Sequence, residues 1–152
     1  MGVEIRRVRE DEAPTLRELC RDAVQRLAER YPDDRYGISE QGLDHLEQHW
    51  RLGASHDEAF CLVAVREDAI VGWVDAELSR SPTLPGIAGE IGDLYRLPGH
   101  EDVGRPLVEA AVQRLQELGA SPILHMDDIR RPDPVFDELG FERDVVRQSL
   151  YA

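Results

Sequence analysis

Residues 89–120 read GEIGDLYRLPGHEDVGRPLVEAAVQRLQELGA, and this stretch divides into one strand, one tight loop and one long helix. Successive side chains of a strand point to opposite faces of its sheet. Over residues 89–96 this alternation places Ile91, Asp93 and Tyr95 on one face. The other face then carries a second set of three residues: Glu90, Gly92 and Leu94.

The step Leu97-Pro98-Gly99 ends the strand, because proline fixes φ and glycine accepts a positive φ. Apolar residues then recur at spacings of three and four, which predicts an amphipathic helix that Gly119 stops. The first N–H groups of a helix have no partner inside it, so a strand that enters a helix through such a loop can bind phosphate. The apolar stripe consists of Val103, Leu107, Val108, Ala111, Val112, Leu115 and Leu118.

The composition excludes two classes of partner. With 152 residues, 41% hydrophobic and 32% charged, the chain suits a single globular domain over 1–152. A net charge of −13 argues against nucleic acid and anionic membranes, which attract basic patches, and is compatible with a cationic acceptor. There is no export signal and no apolar run of about 18 residues. We therefore interpret Cys20 and Cys61 as reduced core residues and predict a cytoplasmic protein.

The remaining patterns predict a mixed α/β domain. We expect strands over 3–8, 60–65, 70–78, 121–126 and 145–151, with a loop over 79–88. One helix begins after Asp11 or Glu12, a second is capped by Ser39, and a short helix over 134–139 is closed by Gly140. The element order is therefore β-α-α-β-β-β-α-β-α-β.

Three runs carry a family resemblance: EIGDLYRLP, VGRPLVEAAVQRLQELGA and FDELGFE. Together they resemble the GNAT family of N-acetyltransferases, and the similarity extends over most of the chain. The resemblance implies a mixed, mostly antiparallel central sheet flanked by about four helices, in which the strands at 89–96 and 121–126 splay apart. It also implies acetyl-CoA as co-substrate, with its thioester end in the gap, and a homodimer as the expected assembly.

The same resemblance assigns the cofactor contacts. Backbone groups that are unpaired in the gap would bind the pantetheine amides, and basic side chains with the first N–H groups of the helix would bind the phosphates. Family members often carry a tyrosine where Phe136 stands. The cofactor-binding candidates are Leu94, Tyr95, Arg96, Leu97, His100, Val103, Gly104, Arg105 and Phe136.

Transfer of an acetyl group to an amine calls for a general base and a proton donor for the departing thiolate. Gly89-Glu90-Ile91 aligns with the strand that carries a glutamate base in histone-acetylating relatives, so Glu90 is the first candidate. Asp93, on the opposite face, is the second. Phe136 cannot donate a proton, so either the coenzyme A thiolate leaves without help, since its pKa is near the ordinary thiol value, or Tyr95 or a water molecule substitutes for the family's tyrosine.

The phosphate loop departs from the family pattern. Members usually read LYVLPEHRGKGIGRAL, whereas this chain reads LYRLPGHEDVGRPL. Val103-Gly104-Arg105 matches the end of the motif, but Glu101 and Asp102 replace its leading basic residue and first glycine. Acidic side chains suit the helix dipole and also occupy the place that a diphosphate would use.

Two functions from different classes remain open. The first is an acetyl-CoA-dependent N-acetyltransferase acting on the primary amine of a small molecule or peptide. The second is a degenerate member of the family that serves as a binding or regulatory module. His45 and His49 have a spacing that can hold a metal, but we interpret them as a solvated helix face and predict no metal. His125 ends a strand beside the gap, either as part of the acceptor site or as a packed residue.

Overall fold

A computed structural model describes residues 2–80, 86–126 and 131–142. In this part of the chain one sheet has the strand order β1-β2-β3-β4-β5, antiparallel except for the parallel pair β4–β5. Its strands are β1 Glu4–Arg7, β2 Ala59–Arg66, β3 Ala69–Ser79, β4 Ala88–Arg96 and β5 Ile123–His125. The helices are α1 Ala13–Arg30, α2 Glu40–Gly53, α3 Gly104–Glu117 and α4 Pro134–Glu138. The expected mixed sheet flanked by about four helices is therefore confirmed.

The sheet separates two apolar cores. Helices α1 and α2 cover one face, where Leu16, Cys20, Leu43, Trp50 and Trp73 are buried. On the other face the apolar stripe of α3 packs with α4 against the strands, and its central members are fully buried: Leu107, Val108, Ala111 and Leu115. The helical periodicity of the sequence thus selects which side of each helix is removed from water.

Three of the sequence signals for helix ends are confirmed, and one is wrong. Ser39 Oγ accepts a hydrogen bond from the Gly42 N–H at 3.0 Å and caps α2. Gly119 and Gly140 follow α3 and α4 with φ of +87° and +88°, which a glycine adopts without steric cost. Neither Asp11 nor Glu12 caps α1 through its side chain, so that expectation is wrong. The Glu12 carboxylate instead accepts from the Arg9 N–H and the Arg6 guanidinium.

A bulge corrects the predicted faces of β4. Val74 pairs with Leu94 and Ala76 with Ile91, so Asp75 on β3 faces two residues of β4. The extra residue reverses the alternation beyond Ile91. Leu94 therefore packs in the α3 core with Ile91, while Tyr95 packs in the α1/α2 core. The expectation that Ile91 shares a face with Asp93 and Tyr95 is wrong, because period-two counting assumes uninterrupted pairing.

The other boundaries shift by a few residues. Helix α3 begins at Gly104 after a 3₁₀ turn over Glu101–Val103, and β5 is shorter than expected, with Pro122 just outside it. The predicted last strand, over 145–151, lies outside the described residues. No helix in the described ranges has both the length and the apolar character needed to cross a bilayer.

Candidate functional site

The site is a gap in the sheet between β4 and β5. The two strands pair only from Gly89–Ile123 to Ile91–His125. Beyond Ile91, β4 continues to Arg96, and this part of its edge faces no strand within the described residues. The expected splay is therefore present. Its backbone groups face a gap in which an amide-containing ligand can pair with them.

Aromatic packing forms the β5 side of the gap. His125 Nδ1 lies 2.9 Å from the Ile91 carbonyl oxygen, and since a carbonyl only accepts, Nδ1 carries the proton. The imidazole stacks on Phe136 with a centroid distance of 3.6 Å. Phe136 is buried, with Phe141 against its edge. His125 is thus a packed residue that joins the two strands where they separate.

Arg96 crosses the gap at its other end. Its guanidinium donates two hydrogen bonds, of 2.7 and 2.8 Å, to the carboxylate of Asp133 at the start of α4. It also lies directly over Gly104, where a Cβ atom would be only 2.2 Å from Arg96 Nε. A residue other than glycine would place its Cβ atom in the space that the Arg96 guanidinium occupies at this point of the first helical turn. Arg96 Nε is buried and has no hydrogen-bond partner within the described part of the chain.

A second cationic group lies beside the loop that precedes α3. Arg66, at the end of β2, donates to Asp102 at 2.9 Å, and its Nη1 lies 2.9 Å from His100 Nδ1. These residues line an open pocket of about 600 Å³ together with Gly99. The guanidinium lowers the pKa of Asp102. Asp102 is therefore already neutralised by Arg66 instead of presenting an uncompensated charge at the helix.

The first N–H groups of α3 are largely engaged by the chain itself. The Val103 N–H donates to the His100 carbonyl at 3.2 Å, and the Gly104 N–H donates to the Glu101 carbonyl. The Glu101 carboxylate accepts from the Gly99 N–H at 3.1 Å, and hydrogen bonds from backbone N–H groups lower its pKa. The expectation that the Val103 and Gly104 N–H groups are free for phosphate is therefore wrong, since the 3₁₀ turn uses them.

The candidate acid–base residues lie on the α1/α2 face of β4. Gly89 faces α3 and Ala120, so Glu90, its neighbour, projects to the opposite face. Burial and the negative charge of Asp93 raise the pKa values of Cys20 and Tyr95 in the α1/α2 core, so Asp93 lies on that face too. The bulge therefore brings Glu90 and Asp93 to one face, whereas regular alternation predicted opposite faces.

Tyr95 is partly buried on this face and packs against the α1/α2 core. Its ring stacks on Trp73 at a centroid distance of 4.9 Å. Burial, with the negative charge of Asp93, raises the pKa of the hydroxyl far above its usual value. Tyr95 consequently keeps its proton at physiological pH, and its hydroxyl has the protonation state of a donor.

The comparisons with known proteins agree with this geometry. The family described as "Acetyltransferase (GNAT) family" matches residues 20–141. The chain belongs to the GNAT acetyltransferase family. No curated protein matches the chain.

Solved structures with the GNAT fold are similar over almost the whole chain, at low sequence identity. A predicted acetyltransferase from Clostridium acetobutylicum, solved with acetyl-CoA, has a TM-score of 0.75 and 13% identity, covering 99% of this chain and 96% of that one. A transcriptional regulator from Bacillus halodurans has a TM-score of 0.76 and 19% identity, covering 99% and 100%. An aminoglycoside acetyltransferase from an uncultured soil metagenomic sample, in complex with sisomicin, has a TM-score of 0.66 and 18% identity, covering 99% and 96%. These likenesses show the fold.

Several of the predicted residues converge within this GNAT fold. Arg96, His100, Gly104 and Phe136 surround the gap or its phosphate end. Arg105 does not, because its side chain is exposed and donates to Glu109 on the surface of α3 at 2.7 Å. On α2, His45 is exposed, whereas His49 is half-buried and its charge acts on Asp75.

Three residues at the site were not predicted as site residues: Arg66, Asp75 and Asp133. Arg66 and Asp133 are 30 or more positions from the residues they pair with, so no local motif connects them. Asp75 did carry a signal, as the one charged residue among the buried positions of β3. A charge in such a run needs a partner or a function.

Proposed function

We propose that this GNAT-family protein is an N-acetyltransferase that transfers an acetyl group from acetyl-CoA to a primary amine of a small molecule or peptide. One observation carries the proposal: among the described residues, β4 has no strand partner on its β5 side beyond Ile91, where the gap opens toward Arg96 and the first turn of α3. Backbone groups along the gap and a cation at its end match the amides and the diphosphate of the cofactor.

The residues present fit the cofactor. The space over Gly104 that Arg96 fills would receive a phosphate group, and the partnerless Nε of Arg96 would then gain an acceptor. Arg66 adds positive charge beside the same loop, and its guanidinium donates to His100 Nδ1. When bound, acetyl-CoA supplies an acetyl thioester to the amine. Leu94 to Arg96 would pair with its amides, and Phe136 would contact its apolar part. Leu97 is not available for this contact, because its N–H donates to the Val71 carbonyl and its carbonyl accepts from the His100 N–H.

Glu90 is our proposed general base. It lies next to Ile91, the last residue of β4 that pairs with β5, and is half-buried. Its carboxylate would remove a proton from the incoming ammonium group, directly or through water. Asp93 on the same face is the second candidate, and protonated Tyr95 is the candidate donor to the leaving thiolate.

Thermal unfolding with and without acetyl-CoA tests the proposal. Ligand at about a hundred times its dissociation constant adds roughly 2.7 kcal/mol to the unfolding free energy. We therefore expect a clear rise in Tm with acetyl-CoA and none with acetate. An unchanged Tm at millimolar acetyl-CoA would contradict the proposal.

Substitution separates catalysis from binding. Glu90→Gln should lower kcat by roughly 10²- to 10⁴-fold, the usual contribution of a general base, while coenzyme A binds with unchanged affinity. Glu117→Gln, at the far end of α3, is the matched control. Equal activity of Glu90→Gln and the wild type would transfer the role to Asp93 or to water.

A specific observation supports the second candidate, a binding or regulatory module without catalysis. The cofactor end of the gap is occupied by internal contacts, Arg96 with Asp133 and Glu101 with the Gly99 N–H. Binding of coenzyme A without turnover of any amine would favour this module. A cytoplasmic location and a homodimer stay predictions, and fractionation with antibody detection and light scattering, respectively, would test them.

A further inference from the structure

Four carboxylates form a stripe on the α1/α2 face of the two central strands. Glu77 and Asp75 lie on β3, and Glu90 and Asp93 on β4. Their neighbours Val74, Ala76, Leu78, Ile91 and Leu94 all pack into the opposite, α3 core, so the carboxylates face the other way. We call these four residues the acidic stripe.

In the part of the chain that the structure describes, no arginine forms an ion pair with Glu77, Glu90 or Asp93 of the acidic stripe. Glu77 and Glu90 are direct partners in the β3–β4 register, an arrangement that places their Cβ atoms about 5 Å apart and is destabilising for like charges. Within residues 2–80, 86–126 and 131–142, neither of them nor Asp93 forms an ion pair or a hydrogen bond through its side chain. Elsewhere arginines neutralise many of the acidic side chains, as Arg80 does for Glu58.

Asp75 anchors the inner end of the stripe. It is 7% exposed, and its Oδ1 is buried with no hydrogen-bond partner in the described structure. Against the rise that burial causes, the Trp50 indole N–H and the Cys61 thiol approach the carboxylate closely enough to lower its pKa, but neither Asp75 Oδ1 nor Trp50 Nε1 has a hydrogen bond of normal geometry in the described structure. The carboxylate lies where the bulge opens β4: a Cβ built on Gly92 would be 3.6 Å from Asp75 Cβ. An unsatisfied buried carboxylate oxygen is costly, which calls for an occupant that donates to it.

The groups around Asp75 come from four elements. His49 and Trp50 belong to α2, Cys61 to β2 and Asp93 to β4, with Cys20 of α1 further along the face. Burial raises the pKa of Asp75 to about 6; the His49 charge opposes the rise and the Asp93 charge adds to it. His49 is therefore the one group among these neighbours that can carry a positive charge.

We propose that the acidic stripe is the acceptor site and that it takes an amine carrying two or more ammonium groups. One ammonium group would lie between Glu90 and Asp93 for reaction, and a second would be held by Glu77 or Asp75. This inference rests on the proposed function, because it names the substrate class of the same site.

Electrostatic repulsion within the acidic stripe accounts for the expected preference for amines with two or more ammonium groups. A single ammonium group neutralises part of the acidic stripe and leaves the Glu77–Glu90 repulsion in place. A second ammonium group removes that repulsion and donates hydrogen bonds to the remaining carboxylates, which charge strengthens. Binding should weaken with added salt, since exposed charges are screened.

Calorimetric titration of the cofactor-free protein tests the inference independently of catalysis. The probes are spermidine, the aminosugar sisomicin and butylamine, at low ionic strength. We expect at least one polyamine to bind about tenfold or more tightly than butylamine, equivalent to about 1.4 kcal/mol. Preference for spermidine would identify a linear acceptor and preference for sisomicin an aminosugar, and either result supports the site.

Variants locate the binding. Asp75→Asn and Glu77→Gln should each weaken polyamine binding about tenfold, whereas Glu117→Gln on α3 should not. Unfolding curves recorded for every variant show that each is folded. Equal affinity for butylamine and both polyamines, or wild-type polyamine affinity in Asp75→Asn and Glu77→Gln, would overturn the inference even if acetyl-CoA raises the Tm. A protein that binds polyamine but not acetyl-CoA would instead support this site and contradict the proposed transferase.

Discussion

Arg96 and Asp133 join the end of β4 to the first turn of α4 through two hydrogen bonds of 2.7 and 2.8 Å. Both side chains are about one-fifth exposed. Their ion pair crosses the same gap that we assign to the cofactor, and Arg96 lies over the glycine that begins α3. A diphosphate bound there would compete with Asp133 for Arg96. The pair therefore couples the stability of the free protein to its affinity for coenzyme A.

Asp133→Asn should separate these two effects. Asparagine keeps the helix cap that Asp133 provides to the Val135 N–H, but it loses the charge that holds Arg96. We expect unfolding free energy to fall by roughly 1–3 kcal/mol and coenzyme A to bind more tightly, because Arg96 is released. Denaturant unfolding and calorimetric titration measure the two quantities. Glu138→Gln, exposed on the same helix, is the control, and weaker binding by Asp133→Asn would contradict the competition.

Gly104→Ala tests the space over the first turn of α3. A Cβ there would be 2.2 Å from Arg96 Nε and 2.7 Å from Cζ, so the guanidinium must move aside. Stability should change by less than about 1 kcal/mol, since alanine favours the helix by a similar amount. Coenzyme A affinity should fall about tenfold or more, as the methyl group fills the proposed phosphate position. Unchanged affinity by titration would show that phosphate does not bind over Gly104.

Gly72→Ala tests how closely β3 packs against β4 and the start of α3. A Cβ on Gly72 would be 2.9 Å from both the Tyr95 carbonyl oxygen and Val103 Cγ2. The Tyr95 carbonyl belongs to the backbone and cannot move aside as the end of a long side chain can. We therefore expect the unfolding free energy to fall by roughly 1–3 kcal/mol, which is typical of an overpacked core. Gly37→Ala, where no atom lies within 4 Å of the added carbon, should have little effect. Equal denaturation midpoints for the two variants would contradict the close packing.

Asp75 predicts a pH dependence of stability. Its pKa is about 6 in the folded protein, above the ordinary value of 3.8. The folded state therefore binds the Asp75 proton more tightly than the unfolded state does. This proton binding contributes fully to the unfolding free energy below about pH 4, and the contribution is lost as the pH rises through about 6. The loss is on the order of 3 kcal/mol, at about 1.4 kcal/mol per unit of pKa. Asp75→Asn should lack this loss and be the more stable protein at pH 7. Parallel wild-type and Asp75→Asn stability curves between pH 4 and 7 would contradict the prediction.

Local sequence signals predicted most of the elements well. Ser39, Gly119 and Gly140 mark helix ends because capping and positive φ depend on one or two residues. The hairpin between β2 and β3 turns at Glu67 and Asp68, both with positive φ, within the predicted connection. Apolar periodicity identified α3 because its buried stripe is set by helix geometry alone.

The candidate site was predicted only in part. Arg96 and Gly104 were found through the family resemblance, since both belong to the strand–loop–helix stretch. The engagement of the Val103 and Gly104 N–H groups was missed, because it depends on a 3₁₀ turn that two acidic residues stabilise. Arg66 and Asp133 were missed because each ion pair joins segments more than 30 residues apart.

The sequence by itself determined the order of the elements from β1 to α4, the side of each helix that is buried and the family to which the chain belongs. These depend on residues close together along the chain. Tertiary structure alone decided that Glu90 and Asp93 share a face, that Asp75 is buried beside them and that Arg96 pairs across the gap. The bulge opposite Asp75 shifts the pairing of two strands by one residue, and no pattern within either strand specifies such a shift.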